Sequence, residues 1–175
     1  LDNPFDLQSD ITHEFSLTLL INFMDAIESD KMYMEIAITV AKRSYAKKRK
    51  VGAILVKDLS VISIGINGTP SGFENECEDT IQIRYPDRPI YELHTKPYVL
   101  HAESNAIIKC AKHGRATLGS TLYVTCSPCM ECSKLIIQAG IKRVVYLEEH
   151  DTDGLEILKR ANIELFHADK LLINE

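Results

Sequence analysis

The chain contains no run of the roughly 18 apolar residues that a membrane-spanning helix needs. Its first ten residues, LDNPFDLQSD, lack the basic and apolar regions of a secretory signal, and no initiator methionine precedes them; a processed or trimmed cytoplasmic protein is expected. Lysine and arginine are absent from residues 1–30, which carry seven acidic side chains. The rest of the chain holds 20 basic and 18 acidic residues, so the net charge of −5 comes from the acidic start. Such a start does not favour a nucleic-acid polymer as partner. Internal repeats and low-complexity segments are also missing. The five cysteines, at 77, 110, 126, 129 and 132, are an odd number gathered toward one region. Without an export signal, that argues for metal binding and free thiols and against a disulfide framework.

What is present suits one globular domain. A length of 175 residues with 45% hydrophobic side chains supports a proper core and one appendage. The expected division is an acidic N-terminal extension over 1–29, helical at 11–28, a domain over 30–168, and a short tail over 169–175. Tyr33, Ile36, Ala37, Val40 and Ala41 recur at helical spacing, which predicts an amphipathic helix over about 31–46. Val51–Lys57 and Val61–Ile66 read as a buried hairpin around Lys57-Asp58-Leu59-Ser60. Gly68-Thr69-Pro70-Ser71-Gly72 is turn-rich. Residues 73–98 show no clear period and read as an irregular insertion.

From residue 101 the pattern alternates. Helices are predicted at about 101–113, from Pro128 to Gly140, and at about 153–161, with strands at 121–126, 143–148 and 163–166. Strand–helix alternation implies parallel strands with right-handed crossovers. The expected fold is α/β: a three-layer α-β-α arrangement with a mixed five-stranded sheet and helices on both faces.

The chemistry lies in His101-Ala102-Glu103 and, twenty-five residues past Glu103, in Pro128-Cys129-Met130-Glu131-Cys132. Cys129 and Cys132 are three apart at a helix start, so both sulfurs fall on one face, where the positive helix end favours thiolates. His101 opens a second helix. Together they offer three protein ligands for zinc, the count of a catalytic site that keeps a fourth position for water and lowers that water's pKa to about 7. Cys126 has a legal spacing to Cys129 and is the alternative fourth ligand of a purely structural site. Glu103 stands beside a ligand without being needed as one, which suits a proton carrier; the plainer reading is a surface acid at a helix N-terminus. Cys77 and His94 are candidates for a second zinc. His13, His113 and His167 read as surface residues, and Cys110 as a core thiol. Lys47-Lys48-Arg49-Lys50 is either a solvated loop or an attractor of a phosphate-bearing ligand.

H-x-E followed by P-C-x-x-C resembles the cytidine deaminase superfamily, and over about residues 31–167 the chain is more similar to its deoxycytidylate (dCMP) deaminases. The carriers are Val51-Gly52-Ala53, Gly65-Ile66-Asn67-Gly68-Thr69-Pro70-Ser71-Gly72, His101-Ala102-Glu103-Ser104-Asn105-Ala106-Ile107, Thr121-Leu122-Tyr123-Val124-Thr125, Ser127-Pro128-Cys129-Met130-Glu131-Cys132 and Gln138-Ala139-Gly140-Ile141. The resemblance implies a hydrolase acting on a cyclic amidine, turning dCMP into dUMP and ammonia on the way to thymidylate. It implies zinc on His101, Cys129 and Cys132, with Glu103 as proton shuttle. The Ala102 backbone would hold the pyrimidine carbonyl and the Ser127 carbonyl would accept from the departing amine. Asn67 would contact the deoxyribose, with Thr69 in a loop near the phosphate. It further implies hexamers, activation by dCTP, inhibition by dTTP, and Mg²⁺ bridging the effector phosphates. There are two departures: Ile66 stands where the family reads Tyr in G-Y-N-G, and His150 aligns with a Tyr, where it is a candidate phosphate contact or an ordinary loop residue. Competing expectations are deamination of cytidine, guanine or a tRNA adenosine, and a non-enzymatic zinc-stabilised binding module.

Overall fold

The strand Gly52–Lys57 (β1) shows how the core is laid out. Its side chains alternate across the sheet. Ala53 and Leu55 enter one core with Leu122, Val124, Val144 and Tyr146, whereas Ile54 and Val56 enter another with Tyr123 and Val145. A strand buried on both faces reads as a continuous apolar run, which is why these segments stand out in the sequence.

A computed structural model describes residues 6–84 and 88–169, with side chains for 24–83 and 88–169. In order the elements are α1 (Asp6–Ala41), β1, β2 (Ser60–Ile66), β3 (Glu78–Arg84), β4 (Pro89–Thr95), α2 (Ala102–Lys112), β5 (Thr121–Cys126), α3 (Met130–Gln138), β6 (Arg143–Glu148), α4 (Thr152–Arg160) and β7 (Glu164–His167). The main sheet has five strands in the order β2-β1-β5-β6-β7. β1 is antiparallel to both β2 and β5, and β5, β6 and β7 run parallel, so the sheet is mixed as expected. Helix α1 packs on one face through Tyr33, Met34 and Ala37; α2, α3 and α4 cover the other through Ala106, Ile136, Leu155 and Leu158. The three-layer α-β-α reading holds.

Three boundaries differ from expectation, each for a physical reason. First, α1 is one continuous helix of 36 residues, so the expected division after residue 29 falls inside it. It is anchored there. Asp30 is buried, accepts from Tyr123 Oη at 2.6 Å and takes both Arg143 Nη atoms at 2.7 Å, tying α1 to β5 and β6. Second, α1 stops at Ala41 and not near 46. The backbone N–H groups of Lys47 and Lys48, which a longer helix would use, donate to the Glu78 carboxylate. Third, residues 73–98 are not an irregular insertion. They contain β3 and β4, paired in register from Glu78–Thr95 to Arg84–Pro89 as a separate two-stranded sheet. That ribbon does not join the main sheet and leaves Ile81 and Tyr91 exposed, so no one-sided hydrophobic alternation marks it in the sequence. The tail expected over 169–175 lies outside the described residues beyond Asp169.

Candidate functional site

Two helix N-termini meet beside the ends of β1 and β5. His101 is the N-cap residue of α2 and Cys129 that of α3, and neither side chain makes a capping hydrogen bond. Ser, Thr, Asp or Asn at an N-cap typically stabilises by about 1 kcal/mol. Both positions forgo that contribution and leave their ring and thiol free. Helix α3 begins at Met130, so Pro128 precedes the N-cap where the sequence reading had it inside the helix. Cys132 then sits in the first turn, buried.

Close backbone contacts fix this corner. A side chain on Gly65 of β2 would strike the Ala102 carbonyl, so only glycine lets α2 seat this low on the sheet. Asn105 Nδ2 donates to the Ile66 carbonyl (2.9 Å) and Ser63 Oγ to the Ala106 carbonyl (2.8 Å), locking α2 against β2. A side chain on Gly154 would strike the Pro128 carbonyl, and Ser133 Oγ donates to the Gly154 carbonyl at 3.0 Å. Helix α4, itself capped by Asp151, thereby presses on the peptide that carries Cys129.

The geometry suits a zinc ion. His101 Nδ1 lies 3.4 Å from both Cys129 Sγ and Cys132 Sγ, and all three ligand atoms fall within 4.8 Å of one another. Tetrahedral zinc with Zn–S near 2.3 Å and Zn–N near 2.0 Å sets nitrogen and sulfur roughly 3.5 Å apart. Among the described residues this is the one group of three or more His, Cys, Asp or Glu side chains so placed. Cys126 is outside it: its sulfur takes Arg49 Nη1 at 3.1 Å. The three groups also shift one another's protonation. Hydrogen bonds from Cys132 and then His101 hold the Cys129 thiol down to about 3. The same contact with Cys129, added to burial, pushes Cys132 well up. The Cys129 sulfur in turn raises His101. Cys129 is thus the thiol held toward the charged form that a cation needs.

Glu103, 4% exposed, is no surface acid. Burial pushes its carboxyl up to about 7, opposed by its own backbone N–H and by the His101 charge. A group with a pKa near ambient pH both gives and takes protons readily.

His101, Cys129 and Glu103 open on a pocket of about 480 Å³, also lined by Lys48, Arg49, Asn67, Glu78, Ala102, Ser127 and His150. The sequence reading named Asn67, Ala102, Ser127 and His150, and the fold brings them together there. Thr69 is not among the lining residues; its Oγ1 is buried without a partner among the described residues. Asn67 is heavily engaged. Its Oδ1 accepts from Ser44 Oγ (2.7 Å) and the Val51 N–H (2.9 Å), and its Nδ2 donates to the Arg49 carbonyl (2.8 Å). Ser127 Oγ accepts the N–H groups of His150 (2.9 Å) and Asp151 (3.0 Å), which sets the loop that carries His150. Of the other two candidates, Cys77 is buried just ahead of β3 and His94 on β4 is exposed and 3.6 Å from Glu92. Sequence reasoning missed Glu78, Thr95 and Val99 as lining residues, since none sits in a motif.

The model of the cytidine and deoxycytidylate deaminase zinc-binding region matches residues 27–148. The chain belongs to that family. A deaminase of this family from Enterobacteria phage T4, a deoxycytidylate deaminase, is 34% identical over 81% of this chain and 91% of its own. The human deoxycytidylate deaminase is 41% identical over 74% of this chain and 71% of its own. The solved dCMP deaminase of cyanophage S-TIM5, in complex with dCMP and dUMP, aligns with a TM-score of 0.70 at 42% identity, covering 80% of this chain and 96% of that one. Among the described residues of this family member, no helix is long and apolar enough to cross a membrane.

Proposed function

We propose that this chain hydrolyses dCMP to dUMP and ammonia, with zinc held by His101, Cys129 and Cys132. The observation that carries the reading is the polarity of one pocket. The same cavity is lined by His101, Cys129 and the buried Glu103 and by the cations Lys48 and Arg49. A base at the metal ligands and a phosphate at the cations match the two ends of a pyrimidine monophosphate.

Zinc bound there supplies a nucleophilic water at neutral pH. Glu103 would take the two protons shed by the attacking water, passing one to the ring nitrogen and the other to the leaving amino group, so that dCMP and water become dUMP and ammonia. The Ala102 backbone N–H holds the pyrimidine carbonyl, and the Ser127 carbonyl accepts from the departing amine. Asn67 Nδ2 has a second hydrogen beyond the one given to Arg49, which serves a deoxyribose oxygen. Arg49 and His150, which both line the pocket, would take the phosphate, with Thr69 in the nearby Gly68–Gly72 loop.

The reading extends to regulation and assembly on family resemblance: a hexamer, activated by dCTP and inhibited by dTTP with Mg²⁺ on the effector phosphates, with residues 1–29 as an oligomer or partner contact. Ile66 stands where the family carries Tyr, so any effector contact made by that ring is missing from this chain. Ammonia release from dCMP, deoxycytidine, cytidine, guanine and a tRNA anticodon stem tests the substrate. The same dCMP assay with dCTP or dTTP plus Mg²⁺ tests the control. dCMP is expected to lead by at least tenfold in kcat/KM; zinc-loaded protein that releases no ammonia from dCMP overturns the reading.

A further inference from the structure

The segment from Ser44 to Lys50 has neither helix nor strand and carries four consecutive cations, Lys47 to Lys50. Like charges this dense repel, and a free loop of this kind would spread into solvent. Here it is pinned from two sides. Asn67 takes the far end, through the Arg49 carbonyl and the Val51 N–H. Glu78 takes the middle: its two carboxylate oxygens each lie 3.1 Å from the Lys47 N–H, and Oε1 is 3.2 Å from the Lys48 N–H. Glu78 is 8% exposed and stands at the base of the β3–β4 ribbon, paired in register with Thr95, which also lines the pocket. Thirty-one residues separate it from Lys47, so the contact is a tertiary one.

From this we infer that Glu78 is a positioning residue for recognition of the substrate's phosphate, holding the backbone of Lys47 and Lys48 so that Lys48 and Arg49 face the pocket. The inference rests on the dCMP reading above. Glu78 does not itself take the phosphate, because both are anions. Its two oxygens are spent on backbone donors, and its charge offsets part of the repulsion among the four cations. The ribbon thereby acquires a purpose that its lack of packing on the main sheet leaves open: its base is the clamp on the anion-binding wall. Glutamine is a poor replacement. Its amide would turn an N–H toward the Lys47 N–H and leave one acceptor for two donors.

The test uses full-length zinc-loaded protein with Glu78→Ala and Glu78→Gln. Amide hydrogen exchange at Lys47 and Lys48 reads the loop without any substrate, and steady-state kinetics read its consequence. The alanine variant is expected to exchange at least tenfold faster at both amides. Its KM for dCMP should rise about tenfold with kcat within about twofold, and one zinc per chain retained. The glutamine variant should fall between it and the parent, and it carries the test if the alanine variant fails to fold. Unchanged exchange, or faster exchange with an unchanged KM, overturns the inference. So does a lower KM, which would mean that the carboxylate merely repels the phosphate, or a fall in kcat alone. Failure of the dCMP reading shows differently, as parent protein with zinc and no turnover of dCMP.

Discussion

His101 and Cys129 occupy the N-caps of helices whose first turns carry the buried Glu103 and Cys132, whereas Lys48 and Arg49 occupy an exposed loop without regular structure. The metal end of the pocket is set by backbone seated on backbone: Gly65 against Ala102, Gly154 against Pro128. The other end is set by side chains reaching across the fold, Glu78 and Asn67, onto main-chain groups. A metal needs its ligands placed to a few tenths of an ångström, and rigid elements supply that. A phosphate tolerates more slack, since charge acts over a longer range than coordination.

If that contrast is right, the largest loss comes from the metal end. Glu103→Ala is expected to lower kcat by 10²–10⁴ or more, equivalent to roughly 3–5 kcal/mol, with one zinc per chain still bound. Metal analysis beside the ammonia assay checks it. Zinc lost together with activity would make Glu103 a ligand and refute its role as proton carrier.

Next comes a pH effect on protein stripped of metal. The folded state holds Glu103 near 7 against an ordinary value of 4.5, so it favours the protonated carboxyl. That contribution is complete below pH 4.5 and is lost as pH rises through about 7. Urea unfolding should show the parent losing roughly 3 kcal/mol relative to Glu103→Gln between pH 4.5 and pH 8. Parallel curves for the two proteins would mean that the carboxyl is not buried as described.

Legibility in the sequence divides along the same line. Strands β1, β5 and β6 are buried on both faces and announce themselves as apolar runs, and the two ligand motifs sit at helix starts where spacing alone brings the sulfurs together. Beyond Glu78 at its base the ribbon has no buried side chain among the described residues, so no apolar face patterned it, and residues 73–98 read as irregular. Glu78 stands in an acidic stretch whose members look alike; only the path of the chain shows that this one is buried under a basic loop. Asn67 was legible as a motif residue but not as the clip on Arg49 and Val51, a tertiary fact. Helix α1 reads as two pieces because its apolar face is interrupted at residue 30, where the buried Asp30 ion pair takes the place of an apolar contact.

A smaller effect probes the backbone seating directly. Gly154→Ala forces a methyl onto the Pro128 carbonyl and should cost about 1–3 kcal/mol of stability, the usual range for overpacking. It should also speed zinc loss to a chelator, because the displaced peptide carries Cys129. Gly68→Ala is the control, since a Cβ there meets nothing within 4 Å. Equal zinc retention in both variants would detach α4 from the metal site.

The smallest effect belongs to the loop. Arg49 Nη1 lies 3.1 Å from Cys126 Sγ, a weak acceptor, so little holds the guanidinium there against a phosphate that enters. Arg49→Ala is therefore expected to raise KM for dCMP about tenfold, near 1.4 kcal/mol, and to leave kcat within about twofold. Deoxycytidine, which has no phosphate, should show no such rise. Arg49→Lys should recover part of the loss as a point charge without the fork of donors. Raising the salt concentration should shrink the gap between parent and alanine variant, because the missing interaction is electrostatic and the residue is exposed. A drop in kcat of the size seen at Glu103 would place Arg49 with the chemistry, and the division of the pocket into a rigid metal end and an adjustable anion end would then fail.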